Sequence, residues 1–401
     1  MANPAQTNPT SSQYGADGLR TVCLRSLADM DLWAAAWRAL DSCSSAPHRY
    51  FQSFDWCHTW LASHPSKRLS PFVVLLFRGD ALMAVLPLMR ARSLTGICVL
   101  RALGEPHTQY GNVLTRDGRL APDEVAAIRH ALFKASSADS IIANYVPDGS
   151  PLKDILGVES RASELDNAAA QFDLQGFASP QDYRATLNKS RRRTRRKAET
   201  ALGEFGEIAL EVLRPGEKGH AAAIAQCVAL KKNWIKHTGR IGAGLDYEDH
   251  ARFLSALPAT TSRDGGIVFV LKAGPVAVAY EVGFLQGGHY YSYLGAFMWS
   301  LRHASPGTLQ IEMTMEWLMT HGVRTFDFLG NPMQYKAQWS NREVALSCHI
   351  VNLTRRGRLF TSLWVRRLRP KLKVLYHHLP TPARRSFAIF REIDFSQLKS
   401  A

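Results

Sequence analysis

The sequence predicts an α/β protein of two tandem units, each a mixed, mostly antiparallel sheet flanked by helices. Three observations carry this expectation. The 401 residues suffice for two or three domains, and 46% hydrophobic content is that of a globular chain. Short apolar runs of strand character alternate with longer runs closed by helix caps. The order of elements in the first half (helices, hairpin strands, a turn, a helix, a strand) recurs in the second, although the two halves do not align by eye. The boundaries read as a disordered polar tail at 1–18, a first unit at 19–165, a second at 166–354 containing a basic helical arm at 185–202, and a basic extension at 355–401.

In the first unit, Leu32–Leu40 and the stretch around Phe51–Leu61 read as helices. Trp33 and Trp37, and Trp56 and Trp60, are each four apart, which places their rings on helix faces packed against a core. Phe72–Phe77, Ala81–Leu88 and Ile97–Leu103 read as strands, with Arg78-Gly79-Asp80 as a hairpin turn. Ile128–Lys134 reads as a helix and Ser140–Asn144 as a short strand. His107–Tyr110 stands where a ligand turn would lie in this copy, with an ordinary polar loop as the alternative.

The second unit is the denser one. Ala221–His237 reads as a helix, followed by the Gly-rich loop Thr238–Leu245. From Gly265 the chain reads as a β-meander with hairpin turns at Ala273-Gly274-Pro275 and Gly287-Gly288. Ser305 then suits an N-cap, Pro306 the first helical position, and Gly322 the helix end. Leu309, Ile311, Met313 and Met315 alternate as in a strand. The caps and the length decide for a helix, with Thr308, Glu312, Glu316 and Thr320 as a narrow polar stripe. The turn Ser305-Pro306-Gly307-Thr308 joins a strand to a helix start, whose unpaired N–H groups suit a phosphate or pyrophosphate; the alternative is an ordinary capped helix. Glu343–Leu353 reads as a last strand or hairpin.

The net charge of +15 is concentrated. Lys189–Lys197 holds seven basic residues and no acid, and Arg355–Ala401 is net +10, so the remainder is near neutral. The 185–202 arm has no large apolar residue between Asn188 and Lys197, so it is expected to bury no face there. It reads as a solvated arm, a surface for an anionic small ligand, or a nucleic-acid contact. Residues 358–379 form a basic amphipathic pattern, broken at Pro370, that suits a peripheral membrane surface, a partner protein, or packing on the chain's own domain. Uninterrupted apolar runs such as Phe72–Phe77 are too short to cross a bilayer, so no transmembrane segment is expected. Residues 1–18 lack the pattern of a secretory signal. Six scattered cysteines without a C-x-x-C pair point to reduced thiols, a cytoplasmic location and no metal. HExxH, Walker A and G-x-S-x-G motifs are absent from the sequence.

The order SPG opening a helix, then FDFLG, then YKAQW resembles the acetyltransferase domain of the GNAT superfamily, in the CelD/BcsL-like branch related to FemAB-type peptidyltransferases. The segments FQSFDWCHTWL, ALMAVLPLM, LGEPHTQYGNVL and FDLQGFASPQDYRATLNKSRRRTRRKAETAL extend the resemblance over most of the chain. It implies two GNAT-like folds side by side, acetyl-CoA as acyl donor, and a link to cellulose, exopolysaccharide or cell-envelope synthesis. The usual Gly-rich R/Q-x-x-G-x-G/A turn is replaced here by Arg302-His303-Ala304-Ser305-Pro306-Gly307, and FemAB-type relatives use another donor. The resemblance also implies that the strand His289–Phe297 offers a backbone N–H near Leu294, Gly295 and Ala296 to the acyl carbonyl. It places the phosphate end of the donor at Ser305, Gly307 and Thr308, and an acceptor-side loop at Thr238–Leu245.

Acyl transfer to an amine needs a neutral nucleophile, a polarised carbonyl and a proton path. Glu281, Asp327 and His303 are the titrating candidates, Tyr335 the proton donor to the leaving group, and Lys336 a contact for phosphate or acceptor. Asp327, Tyr335 and Lys336 lie on the motifs that match the family pattern. Three functions stay open: an N-acetyltransferase acting on a small-molecule, glycan or peptide amine; an aminoacyl or peptidyl transferase with a tRNA-linked donor; and a non-catalytic binding protein of the same fold.

Overall fold

The structure is a computed structural model that describes residues 10–14, 18–157, 161–162, 167–239, 247–259, 264–330 and 338–379. Its contacts divide the chain into two compact units, one holding Met1–Asn167 with Ala345–His378 and the other holding Ala168–Val344.

The first unit opens with β1 (Thr10–Tyr14), β2 (Leu19–Leu24), α1 (Leu27–Leu32), α2 (Ala34–Cys43) and α3 (Phe54–Ser63). Ser26 starts α1 by accepting from Asp29 N–H while the Asp29 carboxylate accepts from Ser26 N–H, a reciprocal cap. The helix expected at Leu32–Leu40 is α2, and a further helix, α1, precedes it and meets it at Trp33. Next come β3 (Leu69–Arg78), β4 (Ala81–Arg92), β5 (Cys98–Ala102), β6 (Leu114–Thr115), α4 (Pro122–Ala135), β7 (Ser140–Pro147), α5 (Leu152–Leu156) and β8 (Arg161–Ala162). The helix expected at Ile128–Lys134 begins six residues earlier, because Pro122 suits the first turn and Glu124 accepts from the Ala121 N–H at 2.9 Å. Trp37, Trp56 and Trp60 are buried, as their spacing predicts. His107 and Thr108 are buried too, accepting from Trp60 Nε1 at 2.7 Å and Trp56 Nε1 at 2.9 Å.

The second unit contains β9 (Asn167–Asp173), α6 (Pro180–Thr186), α7 (Lys189–Gly203), β10 (Ile208–Leu213), α8 (His220–Thr238) and α9 (Tyr247–Ala256). It continues with β11 (Gly265–Ala273), β12 (Val276–Gln286), β13 (His289–Phe297), a 3-10 stretch at Trp299–Ala304, α10 (Pro306–Thr320) and β14 (Thr325–Gly330). Its sheet runs β9-β14-β13-β12-β11-β10, antiparallel except for the parallel pair β13–β14. The core between the sheet and α10 joins Ile267, Phe269, Tyr290 and Phe326 to Met315 and Leu318. The alternation in Leu309–Met315 is that of a helix buried on several sides, as the caps predict.

The basic arm departs from expectation. Within Asn188–Lys197 the side chains of Arg191 and Arg195 are only 22% and 13% exposed and lean on α10, while Ala198 and Leu202, beyond that stretch, are fully buried beside Leu309. The polar stripe of α10 makes this possible. Glu312 and Glu316 accept Arg195 Nη1 at 3.2 and 2.6 Å, and Arg184 grips Glu316 through Nε and Nη2 at 2.6 and 2.5 Å. Ion pairing supplies the contact that an apolar stripe would supply elsewhere.

The chain then returns to the first unit. β15 (Arg342–Asn352) pairs antiparallel with β7 along Leu346–Asn352, and α11 (Arg355–Phe360), a π-helical stretch (Thr361–Leu368) and α12 (Arg369–His378) follow. The first-unit sheet is therefore β1-β2-β3-β4-β5-β7-β15, with only β5–β7 parallel. The helical run continues through Pro370 in α12, which directly follows the π-helical stretch Thr361–Leu368.

Candidate functional site

β13 is the strand around which the site is built. The Gly287-Gly288 turn, with φ of 57° and 79°, feeds it from β12. Its ladder with β14 spans only His289–Tyr291 against Thr325–Asp327. Beyond Tyr291, among the described residues, β13 stays paired with β12 and not with β14. The pairing with β12 also slips between Val282 and Gly283, so Tyr293 is an extra residue that bulges the strand. Next in line are Leu294, Gly295 and Ala296, of which Gly295 is exposed. The Cys227 thiol donates to Leu294 O at 3.4 Å and Lys231 Nζ to Gly295 O at 3.1 Å, which tie this segment to α8.

Glu281 sits mid-way along β12, directly opposite Gly295, and is 2% exposed. Tyr290 Oη donates to Glu281 Oε1 at 2.9 Å, and Ser292 adds a second hydrogen bond. Gly283 makes the first bond possible, because a Cβ there would collide with the Tyr290 ring. Burial pushes the Glu281 carboxyl up to about 7, against the opposing pull of the Ser292 and Tyr290 hydrogen bonds. Burial, reinforced by Glu281, drives the Tyr290 phenol far upward, so it remains a donor. The neighbouring Cys227 thiol is pushed up to about 12 by burial and stays a thiol at neutral pH. Glu281 is thus the member of this cluster that changes charge near neutrality.

At the far end of β13 the 3-10 stretch leads into Ser305, which takes the left-handed conformation with φ of 55° and ψ of 46°. Ser305 occupies the position of the first glycine in the Gly-rich turn cited above, and it adopts a backbone shape that glycine adopts at no steric cost. It is the N-cap residue of α10, as the sequence predicts, but its side chain makes no cap hydrogen bond. Thr308 N–H turns back to Ser305 O at 3.1 Å, while Pro306 has no N–H, which leaves Gly307 N–H at the mouth of the helix. Gly307 also approaches Phe297 closely: a Cβ there would lie 3.2 Å from the ring. Arg302 and His303 are exposed beside the turn, and Trp299 stacks on His237 at 5.1 Å. Backbone donors, a left-handed turn and two exposed basic side chains suit a phosphorylated, CoA-like donor.

Asp327 lies elsewhere. It is fully buried on β14, accepting Gln171 Nε2 and bonding His289 Nε2, both at 2.9 Å, through Oδ2. Its Oδ1 accepts Leu329 N–H at 2.7 Å, holding Leu329 in a left-handed conformation with φ of 62° at a register slip of β14. The partners of Asp327 are therefore distinct from those of Glu281. Gln171 and His289 were not found from sequence, since an isolated Gln and a His after a turn carry no local signal. Tyr335 and Lys336 lie outside the described residues, as does most of the loop Thr238–Leu245. Trp339, just after the YKAQ run, is buried under the Arg191 guanidinium at 3.8 Å.

Residues 189–337 match the family described as "Acetyltransferase (GNAT) domain". No curated protein matches the chain. Among solved structures, FemX is similar over 82% of this chain and 98% of its own, with a TM-score of 0.56 and 11% identity. The C-terminal domain of a putative lysylphosphatidylglycerol synthetase from Agrobacterium fabrum is similar over 82% of this chain and 92% of its own, with a TM-score of 0.51 and 12% identity. A tandem GNAT protein from the clavulanic acid biosynthesis pathway also matches, at a TM-score of 0.46 and 12% identity, over 84% of this chain and 99% of its own. The chain has a mixed α/β GNAT fold, and its residues 189–337 are similar to the acetyltransferase domain of that family. These likenesses do not reach the finer CelD/BcsL-like branch.

Proposed function

We propose that the protein is an N-acyltransferase that takes an acetyl group from acetyl-CoA and places it on an amine of a small molecule, glycan or peptide. The observation that carries this reading is the buried Glu281, titrating near neutrality beneath a strand whose ladder to its neighbour ends at Tyr291. A bound thioester would supply the activated acyl group. Backbone at Leu294, Gly295 and Ala296 would contact its carbonyl, and Ser305, Gly307 and Thr308 its phosphates. Glu281, joined to Tyr290 and Ser292, would accept the proton that the acceptor amine sheds, directly or through water. His303 and Lys336 would meet substrate, and Tyr335 would return a proton to the leaving thiolate. Asp327 would act by holding His289 and the irregular end of β14. The acceptor class includes the envelope or exopolysaccharide amine that the family resemblance implies.

One observation favours a second reading, transfer from an RNA-linked donor. Lys189, Arg192, Arg193, Arg196 and Lys197 are all exposed on the outer side of α7. Calorimetric titration separates the two. Micromolar binding of acetyl-CoA, lost in Gly307→Asp with the circular dichroism unchanged, supports the first reading. Absence of CoA binding together with tRNA binding that weakens steeply with salt replaces it by the second. No binding of either ligand leaves a binding protein of GNAT fold.

A further inference from the structure

The C-terminal helices have two unlike sides. On the inner side, Phe360 and Val365 pack on Val99, Ile142, Cys348 and Ile350. Thr361 is buried and donates to Asn352 Oδ1 at 2.8 Å. The outer side carries Leu359, Leu363, Leu368, Leu372, Val374 and Leu375, each between 44% and 62% exposed. These are six of the nine exposed large hydrophobic residues among the described residues, whose exposed apolar surface is concentrated here.

The π-helical stretch sets their phase. Five α-helical residues between Leu363 and Leu368 would turn the second leucine about 140° away from the first. The i→i+5 repeat of Thr361–Leu368 brings the two sets toward a common side instead. Between Arg355 and His378 the sequence has eight Lys and Arg residues and no Asp or Glu. No helix of the described residues is long and apolar enough to cross a membrane.

We infer that this outer face lies on an anionic lipid surface, with the leucines entering the interface and the surrounding cations meeting lipid phosphates. Charge selects this occupant. A second copy of the face would oppose the exposed Arg358, Arg366, Arg367 and Lys371 with the same four cations, and the segment holds no acid to neutralise them. A nucleic acid would satisfy the cations but leave the leucines in water. An anionic bilayer satisfies both.

Sedimentation of the full chain with vesicles tests the assignment. The wild type is expected to bind phosphatidylcholine vesicles containing phosphatidylglycerol, to bind pure phosphatidylcholine at least tenfold more weakly, and to lose several-fold affinity at high salt. Leu363→Asp/Leu368→Asp/Leu372→Asp is expected to lose binding. Arg366→Ala/Arg367→Ala/Lys371→Ala is expected to lose the preference for anionic vesicles. All these residues are exposed, and circular dichroism checks that each variant is folded. Absence of binding to anionic vesicles overturns the inference. So does binding that survives the leucine substitutions, which would be plain adsorption of a polycation. A concentration-dependent dimer abolished by the leucine substitutions would assign the face to a second copy instead.

Discussion

A carboxyl that titrates near neutrality is useful as a base and costly to the fold, and Glu281 has both properties. Its carboxyl stands at about 7, raised from 4.5 by burial. A raised carboxyl stabilises the fold fully below its unfolded value, and that contribution is lost as pH rises through the folded value. The wild type should therefore lose on the order of 3 kcal/mol between about pH 4.5 and pH 7 from this group. Glu281→Gln, whose amide still accepts from Tyr290, should be flat over the same range and more stable than wild type above pH 7. Urea unfolding at pH 5 and pH 8 reads the difference, and identical pH profiles would remove Glu281 as a buried titrating group. In an acetylation assay the wild-type rate should rise through about pH 7, and Glu281→Gln should lose roughly a hundredfold or more. Ser305 and Leu329 show a second residue-scale pattern. Both are non-glycine residues with φ of 55° and 62°, one at the turn opening α10 and one at the irregular end of β14. Strained backbone of this kind is held by its surroundings, here Pro306 and the Asp327 carboxylate.

The packing of α7 on α10 shows what charge does at the scale of an element. Burial raises the Glu312 carboxyl, and Arg195 and Arg191 only partly oppose it. Burial acts on Glu316 in the same direction, but hydrogen bonds from Arg184 and Arg195 outweigh it and hold Glu316 low. The difference follows from contact geometry. Glu316 is gripped by two nitrogens of Arg184 as well as by Arg195, whereas Glu312 has longer contacts of 3.2 and 3.5 Å. Arg195 is common to both, and its side chain is only 13% exposed. Arg195→Ala should cost about 3–5 kcal/mol in urea unfolding, because it leaves Glu312 buried with one distant partner. Arg193→Ala on the exposed side should change stability by less than about 0.5 kcal/mol. Equal effects from the two substitutions would mean that α7 is solvated all round, as its composition suggests.

At the scale of the molecule, the chain crosses from one unit to the other and comes back. Sequence continuity places residues up to 354 in the second unit, whereas Ala345–His378 belongs by contacts to the first. The cause is hydrogen bonding: β7 needs a partner on its outer edge, and Leu346–Asn352 supplies it. A chain ending at Val344 should therefore damage the first unit although residues 1–167 remain. Hydrogen exchange is expected to show lost amide protection in β5 and β7 and retained protection in β11, β12 and β13. Unchanged protection in β7 would show that the first unit is complete without the returning strand.

Much of this protein was legible before folding because it depends on near neighbours in the chain. Glycine pairs mark the turns of the meander, Ser305-Pro306 and Gly322 bound α10, and alternating or four-spaced apolar residues separate strands from helices. The order of these signals also led to the GNAT fold. What sequence left open depends on groups brought together from far apart. The raised value of Glu281 is set by its burial in the folded sheet, which the hydrogen bonds from Ser292 and Tyr290 on the next strand only partly oppose. The burial of Arg191 and Arg195, two of the seven cations in Lys189–Lys197, is set by two glutamates more than a hundred residues later. The Asp327 cluster joins residues 156 apart in the chain. Local chemistry specifies which element forms; desolvation and ion pairing depend on what each element is packed against, and only the tertiary structure decides that.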